Sequence, residues 1–79
     1  MVDHLITTDI AGNVLWQEGK GGYPADNFVG QLLSAWWAAD HDNAARLATG
    51  FPGHAAAIEL LSQPGGVDRL RSLAAGTAA

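Results

Sequence analysis

A chain of 79 residues without one cysteine has to hold itself together by side-chain packing alone. No disulfide framework and no thiolate zinc site can be built from it. A single domain of this size buries only about 60–65% of the surface that its unfolded chain exposes. Its core is therefore small, and a partner chain is one way to enlarge it.

Charge narrows the partners. Four Lys and Arg face eight Asp and Glu, giving a net charge of −4. Nucleic-acid binding needs a basic footprint against phosphates, and four scattered cations do not make one. Anionic membrane surfaces are disfavoured for the same reason. No apolar run approaches the roughly 18–20 residues of a membrane span. Met1-Val2-Asp3-His4 lacks the cationic and apolar regions of a signal peptide. The expectation is a soluble, cytoplasmic protein whose acidic surface keeps it in solution or meets a basic partner.

The 15 alanines favour helix and the 10 glycines punctuate it. Three arginines to one lysine fit a GC-rich genome. Residues 4–18 read as a β-hairpin. His4-Leu5-Ile6-Thr7-Thr8-Asp9 is rich in β-branched residues. Ile10-Ala11-Gly12 suits a three-residue loop with Gly12 left-handed, and Asn13 to Glu18 returns. In that register Ile6, Val14 and Trp16 share one face, which packs on helices. Gly19 to Tyr23 is a loop, without the spacing of a phosphate-binding glycine motif.

Helices are expected at about 25–39, 41–48, 52–62 and 67–75. In the first, Phe28, Leu32, Ala35, Trp36 and Ala39 lie on one side, widened by Val29 and Leu33. Asp40 or Asp42 caps the second, Leu47 anchors it, and Gly50 ends it in the left-handed conformation. Arg46 lies four residues after Asp42, a favourable ion-pair spacing. Pro52 starts the third, with Ala55, Ile58, Leu61 and Leu60 inward. Val67, Leu70 and Leu73 face inward from the fourth, and Gly76 to Ala79 is a frayed tail. The fold class expected is α+β: an N-terminal hairpin followed by three or four short helices in one domain.

No catalytic constellation is present. His4, His41 and His54 fall on three different elements, at no metal-binding spacing. Ser34, Ser62 and Ser72 lie in ordinary helical context, without a nucleophile elbow. Asp40 and Asp42 read as caps rather than as a carboxylate pair facing a cleft. A helix-turn-helix layout fits residues 41–62, but Pro52 to Ser62 carries no Arg, Lys, Asn or Gln to read base edges. The chain is read as a non-enzyme with no metal and no cofactor.

Three tryptophans in 79 residues are the most informative side chains. Adjacent helical positions point 100° apart, so Trp36 and Trp37 cannot both sit in the middle of a one-sided core. If Trp36 is core, Trp37 is either a lid over the small core or an exposed contact of the kind enriched at interfaces. Tyr23 and Phe51 fit either role. Trp37, Tyr23 and Phe51 are the candidate partner-binding residues.

From Phe28-Val29 through Leu32-Leu33, Trp37-Ala38-Ala39-Asp40, Asn43, Arg46-Leu47 and Gly50-Phe51-Pro52 to Ala56-Ala57-Ile58, the sequence resembles small accessory proteins of phages that infect actinobacteria, mycobacteria included. In these an apolar helix ends in Ala-Asp, followed by Glu-Asn, Arg-Leu and a Gly-Phe-Pro opening. Asp42-Asn43 stands here where many have Glu-Asn. The resemblance covers under half of the chain and leaves out the hairpin and the last helix. It implies a setting, a phage product in the host bacterial cytoplasm, and no mechanism. Two function classes follow. One is a module that binds a host or phage protein of unknown identity. The other is a minor virion component or a homo-oligomeric assembly piece, pairing through the hairpin edge or the Trp37 face.

Overall fold

The computed structural model describes residues 3–76. A 3₁₀ turn at Asp3–Leu5 precedes five α-helices: α1 Thr8–Glu18, α2 Asn27–Ala38, α3 His41–Gly50, α4 Pro52–Leu61 and α5 Gly66–Ala74. Among the described residues there is no strand. The N-terminal hairpin is therefore overturned, and with it the α+β class and any pairing through a hairpin edge. Of the expected tail at 76–79, residues 77–79 lie outside the described residues, as do residues 1–2.

Residues 8–18 are helical because both ends are closed locally. The extended Thr7 accepts the Ile10 N–H on its Oγ1 at 3.1 Å, and Asp9 sits in the first turn. At the other end Gly19 turns left-handed at φ 74°. Its N–H reaches the Trp16 carbonyl at 3.1 Å, and the Lys20 N–H reaches Leu15 at 2.9 Å. That pair of bonds is a Schellman motif. Ala11, Val14 and Leu15 then fall on one helical stripe and are fully buried. In a strand Val14 and Trp16 share a face; in a helix they stand 200° apart. Trp16, expected inward, is consequently turned to solvent at 54% exposure.

The α1 helix is the axis of the packing, touching α2, α4 and α5. Ile6, Ala11, Val14, Leu15, Leu33, Ala56, Ala57 and Leu70 form the contiguous core. Each fully buried Val or Leu is worth about 1.5–3 kcal/mol relative to exposure. Small residues let the backbones approach. Gly53 of α4 passes so close to the Leu5 carbonyl that a Cβ there would lie 2.6 Å from it.

The segment 19–26 folds back across α1 instead of leaving it. Gly22, at φ 72°, sets Tyr23 against Gly12, and the Tyr23 N–H donates to the Gly12 carbonyl at 3.2 Å. Asn13 Nδ2 donates to the Tyr23 carbonyl at 3.2 Å. The Tyr23 hydroxyl donates to the Thr8 carbonyl at 2.9 Å and lies 3.5 Å from the Ala74 carbonyl of α5. The phenol ring thus spans Gly12 with both of its ends held. Arg71 ties the same segment to α5: its Nε and Nη2 donate to the Lys20 carbonyl at 3.3 and 3.0 Å. Gly12 is therefore a mid-helix residue that admits the Tyr23 ring, not a left-handed loop residue.

The remaining helices follow capping logic. Asp26 accepts the Val29 N–H and Asp40 the Asn43 N–H, each at 2.8 Å. Leu32, Leu33 and Trp36 are the buried residues of α2. Phe28, expected on that buried side, is 63% exposed. Gly50 does not end α3 in the left-handed region; it stays helical, and Phe51 at φ −133°, ψ 68° makes the break. The Phe51 N–H closes α3 on Leu47 at 2.8 Å, and its carbonyl accepts from Ala55 at 3.0 Å to open α4. Pro52, next in line, has no N–H to lose. Arg46 donates to Asn43 Oδ1 at 2.9 Å in place of the expected pair with Asp42. On α4 the fully inward residues are Ala56 and Ala57, with Ala55, Ile58, Leu60 and Leu61 half-buried.

Alanine normally stabilises a helix by about 1 kcal/mol over glycine. At position 12 a Cβ would lie within 2.6 Å of Tyr23 Cε1 and Cε2. Gly12→Ala is therefore expected to lower stability by about 1–3 kcal/mol, the range for overpacking. In a Tyr23→Ala background the same substitution becomes neutral or stabilising. Urea denaturation of the four proteins in the cycle reads that reversal of sign.

Candidate functional site

Two tryptophans mark the face formed by α1 and α2. Trp16 stands on α1 between two shallow depressions. The larger, 310 Å³, lies between it and α2 and is lined with Asn13, Gln17, Asn27, Gln31, Asp26 and Ser34 among others. The smaller, 230 Å³, is bounded by Trp16, Gly19 and Gly21. Trp37, 40% exposed, stands at the far end of α2, and its indole Nε1 donates to Glu18 Oε1 at 2.9 Å. Gln17 Nε2 donates to Ser34 Oγ at 3.4 Å across the two helices. The Glu18 bond fixes the Trp37 ring, so less rotamer freedom remains to be lost when something packs on it.

The larger depression is lined mainly by neutral hydrogen-bonding groups. No Lys or Arg lines the larger depression, and four carboxamides do. Carboxamides donate and accept at once, which suits main-chain amides as partners. Some of these groups already bond each other: Gln31 donates to Asn27 Oδ1 at 3.1 Å. The Asp26 carboxylate is engaged at the α2 N-terminus. Among the described residues no three His, Asp or Glu side chains converge on a common point.

The structure separates the three residues singled out from the sequence. Trp37 lies on the α1 side of α2. Tyr23 is half-buried, and its ring, hydroxyl and main chain are engaged within the chain. Phe51 is half-buried at the α3–α4 junction, 6.2 Å from the Phe28 ring and 5.9 Å from that of His54, the latter edge-on. Nine residues separate Phe28 from Trp37, which places them on opposite sides of α2, about 13 Å apart along its axis. Phe51 and Trp37 thus belong to different faces. Trp16 was missed as an exposed side chain because the strand period turned it inward. The 3.6-residue spacing of Ala11, Val14 and Leu15 was the signal that would have exposed it.

A third depression, 510 Å³, separates α2 from α3 and is lined by Ala35, Ala38, Ala39, Asn43, Arg46 and Leu47. No helix among the described residues is long and apolar enough to cross a membrane. No family model, curated protein or solved structure matches this chain.

Burial holds the His54 pKa below its ordinary 6.5, because desolvation disfavours the charged imidazolium. The unfolded chain therefore binds this proton more readily than the folded one. The stability linked to His54 is fully present above pH 6.5 and is lost as the pH falls through the lowered folded value. Urea midpoints at pH 8 and pH 5 are expected to differ less in His54→Gln than in the wild type. An equal difference in both would assign the acid sensitivity elsewhere.

Proposed function

We propose that the chain is a non-enzymatic binding module that engages another protein through the Trp16–Trp37 face. The exposure of Trp16 between two depressions, beside the carboxamide-lined groove, carries this reading. Exposed tryptophan is the residue type most enriched among binding hot spots, and a Trp flanked by neutral hydrogen-bonding groups can seat a peptide surface around an anchor. Glu18 and Asp26 place acidic groups at the rim, which favours a partner with basic groups there. Phe51 lies off this face, and Tyr23 is taken up as an internal brace. The resemblance of residues 28–58 to accessory proteins of actinobacterial phages supports a setting in the host cytoplasm, where the module would bind a host or phage protein.

The test begins with capture from an actinobacterial lysate and continues with the purified partner. Trp16→Ala and Trp37→Ala are expected to weaken binding at least about tenfold each, the scale of a hot-spot loss. Glu59→Gln, on the exposed side of α4, should leave it unchanged. Affinities unmoved by both tryptophan substitutions would remove this face as the contact. If the wild type recovers only itself, and Trp16→Ala dissociates a sedimenting oligomer, the chain is an assembly component instead.

A further inference from the structure

Gly30 lies within α2, where glycine costs stability relative to alanine. A helical glycine is kept where another group passes close to the backbone. Gly12 admits the Tyr23 ring, and Gly53 and Gly66 lie against the carbonyls of Leu5 and Leu60. Gly30 has no such neighbour. Beyond its own stretch of helix, no atom of the described residues stands within 4 Å of where its Cβ would be. Its φ is not positive either, so no turn requires it. Gly30 lines the 310 Å³ depression between α1 and α2, and the room a side chain would take there is open to a ligand.

The walls of this groove come from one face of each helix. Asn13, Trp16 and Gln17 stand at i, i+3 and i+4 on α1; Asn27, Gln31 and Ser34 stand at i, i+4 and i+7 on α2. The bonds within the groove engage nitrogens and leave oxygens. Asn13 Nδ2 donates to the Tyr23 carbonyl, Gln17 Nε2 to Ser34 and Gln31 Nε2 to Asn27. Asn13 Oδ1, Gln17 Oε1 and Gln31 Oε1 have no partner among the described residues, and none is sealed from solvent. Asp26 caps α2 with one carboxylate oxygen, and no cation among the described residues pairs with it. With no Lys or Arg in its lining, the groove is acceptor-rich and negative, and the exposed Trp16 ring borders it.

We propose that this groove takes an arginine side chain of the partner protein, its guanidinium flat on the Trp16 indole and its stem passing over Gly30. The inference rests on the reading of this face as a protein-binding one and names the partner's anchor. A guanidinium carries five N–H donors and no acceptor, the complement of unpartnered oxygens on both walls. Tryptophan is the ring that attracts a cation most strongly, and arginine is the cation found over it most often. A lysine ammonium is a compact, strongly hydrated point charge with no face to stack. A saccharide stacks on tryptophan too, but its hydroxyls donate and accept alike and carry no charge, so it leaves the surplus of oxygens and the Asp26 carboxylate without a counterpart. The volume lies at the low end of ligand-sized pockets, about 300–1,000 Å³, which suits one long side chain rather than a helix.

The probe is the blocked peptide acetyl-Gly-Arg-Gly-amide, titrated into isotope-labelled protein. The readout is the NMR shift of the Trp16 indole N–H and of the side-chain amides of Asn13, Gln17 and Gln31. Saturable shifts confined to the groove are expected, with a Kd of about a millimolar. The citrulline peptide, planar but uncharged, should bind about tenfold more weakly, and the lysine peptide at least about threefold more weakly. Gly30→Leu fills the open space with a better helix former, so it should keep or raise the urea midpoint while weakening arginine-peptide binding at least about tenfold. Trp16→Leu, which keeps apolar bulk without the indole face, should weaken it at least about fivefold. Equal affinity for the arginine and citrulline peptides would overturn the proposal, as would undiminished binding by Gly30→Leu. A captured partner that needs Trp16 but binds Gly30→Leu unchanged would remove the arginine anchor and keep the protein-binding face. A partner indifferent to both Trp16→Ala and Trp37→Ala would remove the face and the anchor together.

Discussion

The close approach of the Tyr23 ring to Gly12 is the constraint on which the rest depends. It needs a residue without Cβ in the middle of α1 and a left-handed glycine at position 22 to turn the chain back. A glycine inside a helix costs about 1 kcal/mol of helix propensity. The hydrogen bonds of Tyr23 to Thr8, Gly12 and Asn13, each worth about 0.5–1.5 kcal/mol net, more than offset it. The result is a segment that straps the central helix and reaches α5 through Arg71 and Lys20. In a domain without cysteine, this strap takes the part that a covalent staple takes elsewhere.

The strap also decides what is left at the surface. With Ala11, Gly12, Val14 and Leu15 of α1 buried, Trp16 is left at the surface beside the depression that α1 shares with α2. The α2 helix divides the surface in two. One side carries Ser34 and Trp37 beside α1; the other carries Phe28, Ala35 and Ala39. A protein this small thereby presents two chemically different faces, one aromatic and amide-rich, one apolar.

The helical half of the fold from position 27 onward was largely legible. Asp26, Asp40 and Pro52 mark starts through groups that satisfy or dispense with free N–H donors, and those signals are local. Trp37 was legible as a flank residue because the 100° step separates it from Trp36. The N-terminal region misled for an equally physical reason. Two threonines and an Ile-Ala-Gly triplet satisfy the local rules of a hairpin, and the same residues satisfy those of a capped helix. Thr7 as cap, Asp9 in the first turn and Gly19 at the end were all present. Propensity over six residues is too weak to choose between them, and tertiary burial of Ala11, Val14 and Leu15 chose. The error moved Trp16 from core to surface, because strand and helix periods disagree most at a spacing of two residues.

The sequence by itself determined the reliance on packing without disulfides, the excess of acidic over basic residues, and the positions where most helices start and stop. These depend on composition and on contacts within four residues. Tertiary structure alone decided that residues 8–18 are a central helix, that Tyr23 is a brace, that Phe51 rather than Gly50 breaks the chain, and that Trp16 faces outward. Each of these turns on a partner ten or more residues away, or on which side of an element the core lies. Neither is encoded in local spacing; both appear only when the backbone has closed on itself.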